Sequence, residues 1–253
     1  MMSDGIRIRG VVAICSRNFR VLRRMIVSAV LAHIGEPVFF LVIFGYGLSQ
    51  FIDNIEGRSF AAWLLPGIAV TSAMTSASLE CTYSAFTRMD RQKTYLAIAS
   101  TPVSIEEVVV GEALWGMFMG FLTASFCLSV NFFLSDPWTL AAMARILCAA
   151  TLGALVSSSL GLFFTSWARG YEDFAMYFTL ILTPMSALSG AYFPITGFPE
   201  GIRGLAMLVP STHAVLAARS SVTIGWPHAV ICLMFALPLL YLAIRGVTRR
   251  VIP

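Results

Sequence analysis

Long apolar stretches separated by short charged clusters run the length of the chain. Asp, Glu, Lys and Arg are absent from 37–52, 59–79, 113–135, 146–168, 174–199 and 220–244, runs of 16, 21, 23, 23, 26 and 25 residues. A helix that crosses a bilayer needs about 20 residues. Five runs are long enough, and the first becomes so if its helix begins near Met25 and admits His33 and Glu36. The runs are apolar on every face, as in Val38-Phe39-Phe40-Leu41-Val42-Ile43-Phe44. Outer-membrane strands would alternate instead. The pattern predicts an all-α integral membrane protein, a single transmembrane domain over 1–253, with six transmembrane helices at about 26–50, 60–86, 105–134, 142–168, 174–193 and 222–246.

Composition strengthens this reading. Of 253 residues 58% are hydrophobic and only 12% charged, about half the charge that covers a soluble domain. A soluble enzyme and a disordered chain are both excluded. Basic residues then set the orientation. With the N-terminus inside, the cytoplasmic segments hold 13 of them (Arg7, Arg9, Arg17, Arg20, Arg23, Arg24, Arg88, Arg91, Lys93, Arg169, Arg245, Arg249, Arg250). The outer segments hold 4, Arg58, Arg145, Arg203 and Arg219. The chain is therefore expected to be a multi-pass protein of the inner (plasma) membrane with both termini cytoplasmic. A net charge of +4, scattered among apolar segments, does not suggest a nucleic-acid partner.

Three segments outside the spans carry a pattern of their own. In 6–25, Ile8, Val11, Val12, Cys15, Phe19, Leu22 and Met25 fall on one side of a helix, and Arg9, Arg17, Arg20, Arg23 and Arg24 on the other. This predicts an amphipathic helix in the cytoplasmic interface, its arginines meeting anionic headgroups. The loop Arg88–Glu107 is expected to hold a short helix stopped at Thr101-Pro102. Ser104 and Glu107 have the spacing of a capping box that starts the third span. Arg88, Asp90, Arg91 and Lys93 beside Tyr95 and Leu96 suit a docking helix with an apolar knob and a charged rim. Between the last two spans Pro184, Gly190, Pro194, Gly197, Pro199, Gly201, Gly204, Pro210 and Pro227 interrupt a second apolar piece too short to span. A broken, re-entrant helical hairpin on the outer side, about 194–220, is expected there.

Catalytic chemistry has no place to sit. The only lysine, Lys93, follows Gln92, so no G-x-x-x-x-G-K-[ST] nucleotide loop exists. Gly47-Leu48-Ser49-Gln50 lacks the closing glycine of an intramembrane serine protease, and His33, His213 and His228 are unclustered in sequence. The five cysteines show no C-x-x-C spacing, which argues against a disulfide framework or a metal site. Glu36, Glu80 and Glu112 lie within or near spans, toward the cytoplasmic side. They either line a polar vestibule or pair with Arg17, Arg88 or Arg91, and pairing is the favoured reading.

The runs Pro37–Gly47 (PVFFLVIFGYG), Leu65–Ser78 (LPGIAVTSAMTSAS), Phe86–Val103 (FTRMDRQKTYLAIASTPV), Leu188–Pro194 (LSGAYFP) and Pro210–Ala214 (PSTHA) resemble the membrane subunit of type-2 ATP-binding-cassette exporters, and within them the NodJ-type permeases that export lipochitooligosaccharides. The resemblance implies two copies of this chain with two copies of a separate ATPase, on which ATP and Mg would bind. No cofactor would be bound by this chain. It also implies a coupling helix at about Arg88–Ser100, an interfacial helix at about Ile6–Arg24 and an outer gate around Tyr192, Phe193, Pro194, Pro210 and His213. The cargo class implied is a lipid-linked or amphipathic molecule: glycolipid, oligosaccharide or drug. The alternative is a secondary transporter or channel with Glu36, Glu80 or Glu112 as ion sites.

Overall fold

Helix α1, Ile8–Arg24, opens the fold. The computed structural model describes residues 6–24, 35, 39–40, 42–45, 47–52, 54–133, 137–220 and 222–252. The expected first span, 26–50, falls mostly outside them, and so does Glu36. A two-residue ladder follows, β1 Asn54–Ile55 against antiparallel β2 Arg58–Ser59. Its tight turn places Glu56 and Gly57 at positive φ, 53° and 78°, the geometry that favours a glycine at the second corner.

Helix α2 begins at Phe60, where the Ser59 hydroxyl caps the Ala62 amide. It continues as Phe60–Leu79 and then through two π-helical turns, Glu80–Ser84 and Thr87–Arg91. The element is thus longer than the expected 60–86. It ends at Lys93, whose left-handed backbone (φ 51°) reverses the chain into α3, Thr94–Ala99. The short helix expected at 88–100 is therefore 94–99, and Arg88–Arg91 are the last turn of α2. Helix α4, Ile105–Ser129, starts on the expected capping box. The Ser104 amide donates to Glu107 Oε2 at 3.0 Å, and the Glu107 amide donates to Ser104 Oγ at 3.2 Å.

Helix α5 is Leu140–Trp167. Next come α6, Glu172–Met176, a π-helical turn Tyr177–Leu182, and α7, Thr183–Leu188, which runs into Gly190 at φ 78°. Two short helices, α8 Glu200–Ala206 and α9 Pro210–Arg219, meet at 89°. Helix α10, Val222–Val251, ends the chain.

Four of these helices, α2, α4, α5 and α10, are long and apolar enough to cross a membrane, and the bent pair α8–α9 raises the total to five. Helix α2 is the axis of the bundle: 83% of its most apolar window is buried, against 22% for α10. A helix that leaves most of an apolar surface uncovered is at home in lipid, where that surface costs nothing. Two clusters make the core. One joins α2, α4, α5, α9 and α10 around Leu65, Ile68, Met74, Ile146 and Val215. The other gathers around Ile14 of α1, Phe86 and Met89 at the end of α2, Tyr95 of α3 and Phe174 of α6.

Candidate functional site

The second cluster is built where α1 crosses α4. Glycines permit the approach. A Cβ on Gly111 would lie 2.8 Å from Ile14 Cβ, and one on Gly10 would run into the Glu107 carboxylate. The buried seam of α1 is Gly10, Val11, Ile14 and Asn18, so its apolar residues divide between two surfaces. Val11 and Ile14 face the bundle, while Ile8, Val12 and Phe19 are exposed. Arg9, Arg20, Arg23 and Arg24 are exposed as expected for a basic face, whereas Arg17 turns inward. Gly111→Ala is expected to lever α1 off α4 and cost about 1–3 kcal/mol; faster proteolysis within residues 6–24, with the spans intact, is the check.

Glu112 sits at 0% exposure beneath α1. Its Oε1 accepts from Arg17 Nη2 at 3.0 Å; its Oε2 accepts from Arg88 Nη2 at 2.7 Å and Asn18 Nδ2 at 3.0 Å. Arg88 also pairs with Glu80 at 3.0 Å. Two guanidiniums and two carboxylates therefore close a neutral cluster linking α1, both ends of the α2 π-turns, and α4. Neutrality and multiple hydrogen bonds are what a buried charge requires. Glu107 forms a second joint: it accepts from the Arg7 amide at 2.8 Å and Arg7 Nε at 3.2 Å. Arg7 also reaches the Pro102 carbonyl, tying the chain's beginning to the end of the α3 loop.

Tyr95 is 1% exposed and packs in this second cluster. Burial, reinforced by the Glu112 carboxylate, pushes its phenol well above the ordinary range, so it stays neutral, its hydroxyl buried without a hydrogen-bond partner among the described residues. The reading of Tyr95 as a surface knob is corrected: it is the root of α3. Arg88 is likewise interior and not a rim charge. Asp90 pairs with Lys93 at 3.8 Å and Arg250 at 3.6 Å, and the Arg91 guanidinium lies over Tyr171 at 5.6 Å. Leu96, at 55% exposure, is the apolar side chain that α3 presents.

The connection between α7 and α9 is held by Arg219, which the sequence alone did not single out. Its Nη1 donates to the Gly190 carbonyl at 2.7 Å, and its Nη2 to Ala191 at 2.9 Å and Trp63 at 3.3 Å. The guanidinium lies 3.7 Å from the centre of the Trp63 ring. Tyr192 packs against Phe40 at 6.2 Å, and Phe193 is exposed. Pro210 begins α9, and Pro194 precedes a single 3-10 turn, Ile195–Gly197. His213 and His228, separate in sequence, are in contact: their Nδ1 atoms are 2.9 Å apart.

This apolar helical bundle, with four or five helices long enough to cross a membrane among the described residues, has a counterpart among known families. The model of the ABC-2 type transporter membrane domain matches residues 9–223. The chain belongs to the ABC-2 type transporter family. It is similar to Nodulation protein J of Rhizobium leguminosarum bv. viciae, 32% identical over 92% of this chain and 89% of that one. Nodulation protein J of Bradyrhizobium diazoefficiens is 34% identical over 80% of this chain and 77% of its own length. The inner membrane transport permease YadH of Escherichia coli is 27% identical over 71% of this chain and 70% of its own. The protein is thus a multi-pass membrane permease, the transmembrane subunit of an ABC transporter, and permeases of this family work with an ABC ATPase.

Proposed function

We propose that this chain is half of the membrane pathway of an ATP-driven exporter. Two copies, with two ATPase subunits carrying ATP and Mg, would move a lipid-linked or amphipathic cargo outward from the cytoplasmic leaflet. Both termini and α3 are cytoplasmic in this reading, six spans cross the inner membrane, and α1 lies in the interface with Arg9, Arg20, Arg23 and Arg24 toward anionic lipid. The segment from Tyr192 to His213 serves as the outer gate. Glycolipid is the preferred cargo class, on the likeness to the nodulation permeases.

The observation that carries this reading is the construction of α3. A two-turn helix gains little stability by itself, yet this one is rooted by Tyr95 in the buried core and presents Leu96 outward. A rigidly mounted apolar side chain with charges around it suits a groove on a partner. The alternative of an ion-coupled carrier is weakened because Glu80 and Glu112 are already neutralised by Arg88 and Arg17.

Leu96→Ala tests the reading. An anchor of this kind contributes about 2 kcal/mol or more, so ATPase co-purification should fall by roughly tenfold or more while thermal stability of the permease is unchanged. Full complex formation and normal cargo-stimulated ATP hydrolysis in this variant would remove α3 from the coupling interface.

A further inference from the structure

His213 lies on α9 at 7% exposure and His228 on α10, half-buried. Their Nδ1 atoms are 2.9 Å apart, and His213 Nε2 is 2.9 Å from the Met207 carbonyl oxygen. A carbonyl can only accept, so His213 Nε2 carries a proton and donates it. In neutral His213, Nδ1 is then a bare lone pair. The His228 Nδ1 that meets it must be the donor. One arrangement of protons satisfies both contacts, and it leaves His228 Nε2 as the open basic site.

We propose that His213 and His228 form a one-proton latch between α9 and α10, tightened by the first proton taken up from the outer side and broken only when both rings are cationic. The first proton goes to His228 Nε2. It turns His228 Nδ1–H into a charged donor without disturbing either contact, and charge-assisted hydrogen bonds are about twice as strong as neutral ones. A second proton has only His213 Nδ1 to go to. There it removes the acceptor and sets two cations face to face. The latch therefore survives the first protonation, the reverse of a pair that opens on it.

The surroundings leave the pair to itself. On α10, Cys232 lies one turn beyond His228, its thiol 3.8 Å from the Pro210 carbonyl. On α9, Arg219 is committed to Gly190, Ala191 and Trp63. From α5, Arg145 donates to the Ala218 carbonyl at 3.4 Å. Glu200 and Arg203 of α8 are exposed. Among the described residues none of these groups bonds either imidazole.

The proton arrangement stands on geometry alone; the side from which protons arrive rests on the exporter topology proposed above. The test uses the full chain in lipid nanodiscs with nitrogen-15 histidine. At about pH 8 a nitrogen–nitrogen coupling across Nδ1–H···Nδ1 is expected; its absence, with both rings protonated at Nε2, overturns the latch. Amide protection of 210–219, corrected for intrinsic exchange, should rise about fivefold as a single proton binds. His228→Gln has no ring to take the first proton, so its protection should not rise as the pH falls; an unchanged rise in this variant also overturns the latch. His228→Phe should lower protection at every pH. If that variant does not fold, the coupling and the glutamine variant decide. In sealed vesicles, a response only to acid on the α3 side would leave the latch standing and overturn the topology.

Discussion

Glu112→Leu is expected to prevent accumulation of folded permease in the membrane. The carboxylate is fully buried and accepts from Arg17, Asn18 and Arg88. Without it, Arg88 keeps Glu80 alone, and Arg17 loses its carboxylate altogether. Breaking one side of a buried pair costs about 3–5 kcal/mol, a large share of the roughly 5–15 kcal/mol that holds a typical domain together. Glu112→Gln keeps an acceptor oxygen and the side-chain shape, so its loss should be smaller, about 1–3 kcal/mol. Adding Arg17→Met to Glu112→Leu leaves the Arg88–Glu80 pair at 3.0 Å, and should recover part of the loss. That non-additivity identifies the pair as acting together. Thermal unfolding in detergent, with membrane yield, gives all three values. A Glu112→Leu permease with wild-type yield and stability would show the cluster to be dispensable.

That expectation replaces the milder one the sequence supports. Paired at the surface of the bilayer, Glu112 would tolerate glutamine; burial under α1 is what raises the stakes, and nothing in the periodicity of 105–129 announces it. The long apolar helices were legible because a lipid-facing or core-facing helix must be uncharged over its whole length. The capping box at Ser104 and Glu107 was legible for a similar reason: four consecutive residues contain the complete mechanism. What escaped depends on rotation and distant partners. Tyr95 and Leu96 are neighbours with similar sequence credentials, and only the direction of α3 buries one and exposes the other. Asn18 and Gly111 matter because α1 presses on α4. His213 and His228 look unclustered until α9 folds against α10 and brings them together. The continuation of α2 to Arg91 was hidden because charges there suggested a loop, whereas Arg88 is satisfied inside the bundle.

Arg219→Met is expected to release the outer connection while leaving the cytoplasmic half intact. The single guanidinium serves the Gly190, Ala191 and Trp63 carbonyls at once and stacks on the Trp63 ring. It thereby joins three places far apart in sequence: the start of α2, the positive-φ turn after α7, and the end of α9. The fit is close, since even a Cβ on Gly67 would fall 2.6 Å from the Ala191 carbonyl and 2.9 Å from Arg219 Nη2. Methionine fills similar volume but donates nothing. Buried acceptors left unsatisfied cost about 1–3 kcal/mol each, and the lost cation–π contact adds about 0.5–2 kcal/mol. Arg219→Lys should recover little, because an ammonium cannot reproduce the planar fork that reaches separate carbonyls. A cysteine placed at Phe193 reports the result, since this exposed residue sits two positions from Ala191. Cross-linking of that cysteine to one placed in α9 should become heterogeneous in Arg219→Met, while protease resistance of α1 and α3 is unchanged. Uniform cross-linking together with an unshifted thermal transition would mean that the turn at Gly190 holds without Arg219. Glu112 and Arg219 would then differ in kind: one charge required by the core, the other placed on a connection that closes by itself.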